Sequence, residues 1–123
     1  MQPVLLTAAA LLALAFATPA RADGDAEAGK VVFKKCAICH QIDPAKKGIG
    51  PTLFGVVGRP SASFPGFAYS DAMKAANKTW DAATLDVYLT NPKALVPGTK
   101  MVFPGLPKDE DRANVIAYLS TLK

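Results

Sequence analysis

Histidine and cysteine, which supply many of the metal ligands and nucleophiles of proteins, are scarce in this chain. The 123 residues include two cysteines, one histidine (His40) and three methionines. No Gly-rich phosphate loop, internal repeat, low-complexity tract or linker appears, and no segment has a convincing strand pattern. The length suits one small domain and leaves no room for a large enzyme cavity. We expect an all-α domain without a nucleic-acid partner.

Long hydrophobic runs are absent apart from one near the amino terminus. The run from Val4 to Ala17 is too short to span a bilayer, and the small-x-small triplet Ala20-Arg21-Ala22 follows it. Residues 1–22 are therefore predicted to be a signal peptide that is cleaved after Ala22, which leaves a domain of residues 23–123. We expect this domain in the periplasm, with no membrane insertion after cleavage. Because no Lys or Arg precedes Val4, an uncleaved anchor is the alternative.

Both cysteines and the histidine fall in one motif, Cys36-Ala37-Ile38-Cys39-His40. Two cysteines in an exported chain ordinarily suggest a disulfide, but Cys-x-x-Cys-His is the attachment pattern for c-type haem. Two thiols three residues apart at a helix end can add to the vinyl groups on one porphyrin edge, which brings the next side chain beneath the iron. His40 is then the proximal ligand, and a carbonyl in the Gly50-Pro51 loop can accept a hydrogen bond from its second nitrogen.

Two other kinds of Cys-x-x-Cys site fit the sequence less well. A redox-active dithiol of the thioredoxin kind belongs in a strand–helix unit, which the sequence does not indicate. A closed zinc site needs four ligands, and two cysteines with one histidine fall short unless a carboxylate or a second chain contributes.

A haem iron held by one histidine has a sixth position, whose occupant decides between chemistry and electron transfer. Met1 leaves with the signal peptide, so the choice is between Met73 and Met101. Met101 is the better candidate, because the Pro- and Gly-punctuated segment 97–105 cannot continue a helix or join a central strand and can lie over one haem face. The alternative for either methionine is core filling.

The remaining pattern predicts helices joined by long loops. Asp25 caps a first helix that runs to about Lys35, a short helix covers 71–76, and a third helix runs from its cap Asp81 to Thr90, where Pro92 stops it. The last helix is predicted from near Lys108 to about 122. Its buried stripe is predicted to contain Val115, Ile116, Tyr118, Leu119 and Leu122. From 41 to 69, closely spaced Pro and Gly residues forbid long elements, and a loop of this length needs an object such as haem to wrap.

Several blocks of this sequence resemble those of a known family. The chain resembles a class I cytochrome c, nearest to the bacterial cytochromes c2 and the mitochondrial form, over nearly all of 24–123. The matching blocks are Gly24-Asp25 with Gly29-Lys30, Cys36-x-x-Cys39-His40, Gly50-Pro51-x-Leu53, Gly58-Arg59, Gly66-Phe67-x-Tyr69-Ser70-Asp71-Ala72, Trp80, Tyr88-Leu89, Asn91-Pro92, Pro97-Gly98-Thr99-Lys100-Met101-x-Phe103 and Ile116-Ala117-Tyr118-Leu119. One departure is Met73, where many relatives have an asparagine.

The resemblance implies a role for each matching position. It implies haem thioethers at Cys36 and Cys39, iron ligands at His40 and Met101, and a bond from the imidazole to the carbonyl of Pro51. It also implies that Arg59, Tyr69 and Trp80 bond the haem propionates, that Tyr88 and Thr99 lie near the methionine sulfur, and that the Phe103 ring lies beside the haem edge. The first and last helices are expected to contact each other through Gly29, Phe33, Val115 and Tyr118. Without the resemblance, Arg59 would be an ordinary surface charge, Trp80 a core anchor, and the two tyrosines half-buried phenols.

The function that the resemblance implies is one-electron transfer by a monomer with one covalently attached haem c, without catalysis. The expected partners are a membrane reductase of the cytochrome bc1 type or a dehydrogenase, and a terminal oxidase or photosynthetic reaction centre. Lysines predicted to ring the haem edge and steer docking are Lys34, Lys35, Lys46, Lys47, Lys93 and Lys100. The alternative is a small haem peroxidase or gas-sensing haem protein with a displaceable methionine ligand.

Overall fold

The computed structural model describes residues 24–123, and within this range the chain folds as short helices joined by long loops. The helices are α1 (Ala26–Val32), α2 (Asp71–Ala76), α3 (Ala82–Thr90), α4 (Pro92–Leu95) and α5 (Asp109–Ser120), and a 3₁₀ turn at Phe33–Lys35 continues α1. No strand forms between residues 24 and 123, only an isolated bridge between Pro60 and Thr79. The all-α class is confirmed. The predicted signal peptide and its cleavage site lie outside the described residues, among which no helix is apolar and long enough for a membrane span.

Side-chain caps explain where three helices begin. The Asp25 carboxylate accepts from the N–H of Glu27 at 2.9 Å, and the Asp81 carboxylate accepts from the N–H of Thr84 at 2.7 Å, as the sequence predicts. The Ser70 hydroxyl caps α2 in the same way. These short polar side chains satisfy N–H groups that have no partner within the first helical turn.

Two boundaries differ from the sequence prediction. Pro92 follows the end of α3 at Thr90, but it also begins α4, a helix that was not predicted. Proline suits the first helical position because its missing N–H would have no partner there. Helix α5 ends at Ser120, and Leu122 packs against the core from beyond it, only partly buried.

The first helix, α1, packs against the last helix, α5, and this contact closes the core. Gly29 is buried at the crossing, where a Cβ would overlap the carbonyl of Asn114 and lie 2.9 Å from Cβ of Tyr118. Beside it, the rings of Phe33 and Tyr118 have centroids 5.3 Å apart. The predicted contact of first and last helices is therefore present, with Val115 in the same core.

Three polar side chains are buried that the sequence did not mark as internal. Arg112 donates to the carbonyl of Leu106 and to the carboxylate of Asp86, both at 2.8 Å, and is also paired with Asp109. The Asn114 side-chain oxygen accepts from the N–H of Asp25 at 2.8 Å.

Thr52, the third, holds the long loop before α2. Its hydroxyl lies 2.8 Å from the carbonyl oxygen of Asp43 and 3.2 Å from that of Gln41, and it accepts from the N–H of Phe54. The side chain has no exposed surface. One hydroxyl thus joins three points of a loop that has no regular element of its own.

Candidate functional site

A cavity of about 420 Å³ lies between the long loop, α3, α5 and the segment after α4. Its wall is mostly apolar, with Leu53, Val56, Leu85 and Leu119 among its members. Every site residue predicted from the sequence lies on this wall, namely Cys36, Cys39, His40, Pro51, Arg59, Tyr69, Trp80, Tyr88, Thr99, Met101 and Phe103. Residues that are far apart in the chain are therefore brought to one cavity.

The imidazole of His40 is held by its neighbours in a defined orientation. Its Nδ1 lies 2.7 Å from the carbonyl oxygen of Pro51, and because a carbonyl only accepts, Nδ1 carries the proton. In the neutral ring, Nε2 then keeps its lone pair. Burial lowers the pKa of His40 and outweighs the carbonyl bond, which raises it, so the ring stays neutral near pH 7.

Gly50 provides the space that this orientation needs, a role that the sequence analysis did not assign. A Cβ at Gly50 would lie 2.5 Å from Cε1 of His40 and 2.8 Å from Nδ1. Any side chain here would displace the ring. The signal in the sequence is that Gly50 directly precedes the proline whose carbonyl accepts from the ring.

Cys36 and Cys39 are both free and half-buried in the turn that follows the 3₁₀ segment. The N–H of His40 donates to the carbonyl of Cys36 at 2.9 Å, and the N–H of Cys39 donates to the same carbonyl at 3.1 Å. This turn directs both thiols and the imidazole to one cavity. Burial raises the pKa of the Cys36 thiol, with nearby Lys35 acting in the opposite sense.

Met101 lies on a tight loop that reaches the cavity from the other end of the chain. Gly98 has φ of 85°, which a side chain would strain, and the N–H of Thr99 donates to the carbonyl of Val96 at 3.0 Å. The Thr99 hydroxyl accepts from the N–H of Met101 at 3.2 Å. The Tyr88 hydroxyl lies 3.7 Å from Met101 Sδ, and burial raises the pKa of this phenol, so that it remains a donor.

Arg59, Tyr69 and Trp80 form the polar part of the wall. Arg59 donates to the carbonyl oxygens of Thr52 at 3.0 Å and Phe54 at 3.2 Å, and burial lowers its pKa. The Tyr69 oxygen accepts from the N–H of Phe64 at 3.1 Å, which leaves its O–H to donate elsewhere. Trp80 is buried, and the centroid of its ring lies 4.8 Å from the centroid of the Tyr88 ring.

The six lysines predicted for docking are all exposed. Lys35 and Lys100 reach the cavity wall, whereas Lys47 donates to the carbonyl of Gly66 at 3.1 Å and so also joins two loops. Among the described residues, no cluster of three or more His, Cys, Asp or Glu side chains forms a metal site. Within these residues, a closed zinc site would therefore still need a ligand from a second chain.

The groups on the wall fit a covalently attached haem. Two thiols lie in the turn that ends at the histidine, an oriented imidazole presents a free Nε2, and a thioether comes from a separate loop. Imidazole and thioether are the axial donors of c-type electron carriers, and the apolar wall suits a porphyrin. Arg59, Tyr69 and Trp80 carry the N–H and O–H donors that buried propionates would need.

Comparisons with known proteins identify the family of this chain. The family model for cytochrome c matches residues 26–123. Cytochrome c2 of Rhodomicrobium vannielii is 59% identical over 110 residues, which span 89% of this chain and 88% of that protein. Cytochrome c2 of Rhodoblastus acidophilus is 56% identical over 101 residues, 81% of this chain and 94% of that protein.

A solved structure gives the same result at the level of the fold. Cytochrome cH from Methylobacterium extorquens superposes with a TM-score of 0.76 at 48% identity, over 80% of this chain and 99% of that one. Proteins of this kind carry covalently bound haem c, so the cofactor predicted from Cys36, Cys39 and His40 is confirmed at the level of the family. The chain belongs to the cytochrome c family and is similar to the cytochromes c2.

Proposed function

We propose that this protein is a soluble one-electron carrier whose haem iron is held by His40 and Met101. The observation that supports it most directly is the pairing of two restrained donors on one cavity wall. His40 is bonded through Nδ1 to Pro51, and Met101 Sδ lies beside the Tyr88 hydroxyl. When bound, the haem supplies an iron that alternates between the ferrous and ferric states. No substrate bond is made or broken, so the protein is not an enzyme.

The residues around both donors favour a stable ligand set. The Pro51 carbonyl fixes the tautomer of His40 and strengthens its donation through Nε2. Thr99 and Gly98 fix the loop that carries Met101. With His40 and Met101 holding the iron, the weak thioether donor would favour the ferrous state and so raise the reduction potential. The apolar cavity would raise it further, because the additional charge of the ferric state would be poorly solvated there.

Three polar side chains are proposed to hold the propionates, and one aromatic to border the haem edge. Arg59, Tyr69 and Trp80 line the cavity and carry the required donors. Phe103 follows Met101 by two positions and lies on the same wall. With the propionates paired, their burial costs less free energy than two isolated carboxylates would.

The proposed partners are redox proteins with acidic docking surfaces. Lys34, Lys35, Lys46, Lys47, Lys93 and Lys100 would ring the haem edge and orient the protein during encounter. The proposed role is a periplasmic, monomeric shuttle between a cytochrome bc1-type reductase or a dehydrogenase and a terminal oxidase or photosynthetic reaction centre. The net charge of +4 has the sign that this docking requires.

An optical spectrum of the protein, produced with a cytochrome c maturation system, tests the ligand set. We expect a low-spin c-type spectrum, no response of the ferrous form to carbon monoxide, and a weak far-red band in the ferric form that persists in Met73→Leu and disappears in Met101→Ala/Met73→Leu. A high-spin spectrum that shifts with carbon monoxide would instead indicate the peroxidase or gas-sensing function. Absence of haem absorption would overturn both.

Stopped-flow oxidation by an acidic redox partner tests the docking role. Lys35→Gln with Lys100→Gln removes the two lysines that reach the cavity wall, and Lys108→Gln with Lys123→Gln, at exposed positions off this wall, is the charge-matched control. We expect the double variant to slow association at low salt by about ten-fold and to weaken its salt dependence, with little change in the control. Rates that are insensitive to ionic strength in every variant would contradict electrostatic docking.

A further inference from the structure

The haem cavity contains a second thioether whose purpose the proposed ligand set leaves unexplained. Met73 lines the same wall as Met101 and Tyr88 and packs against the core while remaining partly buried. Met73 and Met101 are the methionines of the region that the structure describes. Of the side chains on this wall that do not attach the haem, Met73 is therefore the one besides Met101 that offers a sulfur donor.

Helix α2 holds the Met73 backbone next to the ligand loop. The Ser70 hydroxyl accepts from the N–H of Met73 at 3.1 Å and so fixes the start of the helix. One residue earlier, Ala72 Cβ lies 3.5 Å from the point where a Cβ of Gly98 would be. The helix that carries the second thioether thus contacts the loop that carries the first.

Methionine suits an exchange of ligands better than the other residues of this wall. Its side chain is unbranched with three rotatable bonds, so that it can reach over several ångströms from a fixed backbone. A thioether carries no proton to lose before it binds, whereas lysine must first be deprotonated. Exchange between two thioethers therefore needs neither a proton nor an electron.

We propose that Met73 is a reserve axial ligand that binds the iron when Met101 is withdrawn or removed. One iron–sulfur bond breaks, an equivalent one forms, and the oxidation state is unchanged. The consequence is protection: the sixth position stays closed to carbon monoxide and peroxide when the ligand loop opens. This inference rests on the proposed function, because it requires Met101 to be the resident ligand.

Carbon monoxide titration of the ferrous protein tests the exchange. Three holoproteins are compared: Met101→Ala, Met101→Ala/Met73→Leu, and the control Met101→Ala/Leu53→Ile, which alters another side chain of the same wall. We expect the single variant and the control to remain largely low-spin. Met101→Ala/Met73→Leu should be high-spin and should bind carbon monoxide at least about ten-fold more tightly than Met101→Ala does.

The outcomes separate this inference from the proposed function. Equal carbon monoxide affinity in Met101→Ala and Met101→Ala/Met73→Leu would overturn the reserve-ligand proposal and leave core filling as the role of Met73. Low-spin spectra in both of these variants would show that another side chain binds the iron, which would equally refute the role of Met73. If the Ala variants do not fold, the volume-conserving pair Met101→Leu and Met101→Leu/Met73→Leu gives the same comparison. If the unaltered protein itself binds carbon monoxide, the proposed function fails first.

Discussion

Substitution of Gly29 by alanine tests whether close helix contact or helix propensity governs this position. Alanine is favoured over glycine in a helix by about 1 kcal/mol, so propensity alone predicts a more stable protein. The structure predicts the opposite, because the new Cβ would overlap the main-chain carbonyl of Asn114 and lie 2.9 Å from Tyr118 Cβ. The backbone atoms of Asn114 cannot rotate away, and therefore α1 and α5 must move apart.

The magnitude follows from the two opposing effects. Overpacking of a well-packed contact costs about 1–3 kcal/mol, and a clash with backbone belongs at the upper end of that range. Moving the helices apart also loosens the contact of Phe33 with Tyr118, whose ring centroids are 5.3 Å apart. After the gain from propensity, we expect Gly29→Ala to lower the free energy of unfolding by about 2 kcal/mol.

Guanidinium denaturation followed by far-ultraviolet circular dichroism measures this change. At a slope of about 3 kcal/mol/M, the midpoint should fall by about 0.7 M. Ala83→Gly, at an exposed position of α3, calibrates propensity alone and should cost about 0.5–1 kcal/mol. A Gly29→Ala protein at least as stable as the unaltered one would refute the close-contact argument.

Three further substitutions test the site and its supports. Gly50→Ala should displace the His40 ring and break its 2.7 Å bond to Pro51, lowering the fraction of chain that matures with haem; an unchanged yield and spectrum would contradict this. Tyr88→Phe removes the hydroxyl beside Met101 Sδ, worth about 1 kcal/mol, so added imidazole should displace Met101 about five-fold more readily, and equal affinity would refute the contact. The Thr84 N–H lowers the pKa of Asp81 below its ordinary 3.8, so the carboxylate contributes stability above that pH and loses it as the pH falls through the folded-state pKa. Asp81→Asn keeps a capping oxygen without the charge and should therefore flatten the acid limb of a stability–pH curve, whereas parallel curves would show that the charge has no effect.

Local sequence signals were sufficient to predict most helix starts. Asp25 and Asp81 are short polar residues directly before helical periodicity, and both cap helices in the structure. Pro92 shows where a local signal has two meanings. Proline ends the preceding helix because it lacks an N–H, and for the same reason it suits the first position of the next one. The sequence alone favoured only the first meaning.

The candidate site could be proposed from the sequence because its residues come from one motif and from one family resemblance. Cys36, Cys39 and His40 lie within five residues, and the Pro- and Gly-rich loop around Met101 offers a donor for the sixth position of a haem at this motif. The space at Gly50 was less accessible to such reasoning. Its role depends on the approach of a ring ten positions earlier in the chain, which composition and spacing do not encode.

The buried polar residues were missed for a reason that follows from the architecture. Without strands between residues 24 and 123, the long loops have no ladder to satisfy their carbonyl groups, which must find donors when buried. Side chains supply them: the Thr52 hydroxyl bonds to the carbonyl of Asp43, and Arg112 donates to the carbonyl of Leu106. Arginine and threonine are usually exposed, so residue type predicts the surface for each of them. Their burial depends on where a distant carbonyl lies, and only the folded chain determines that position.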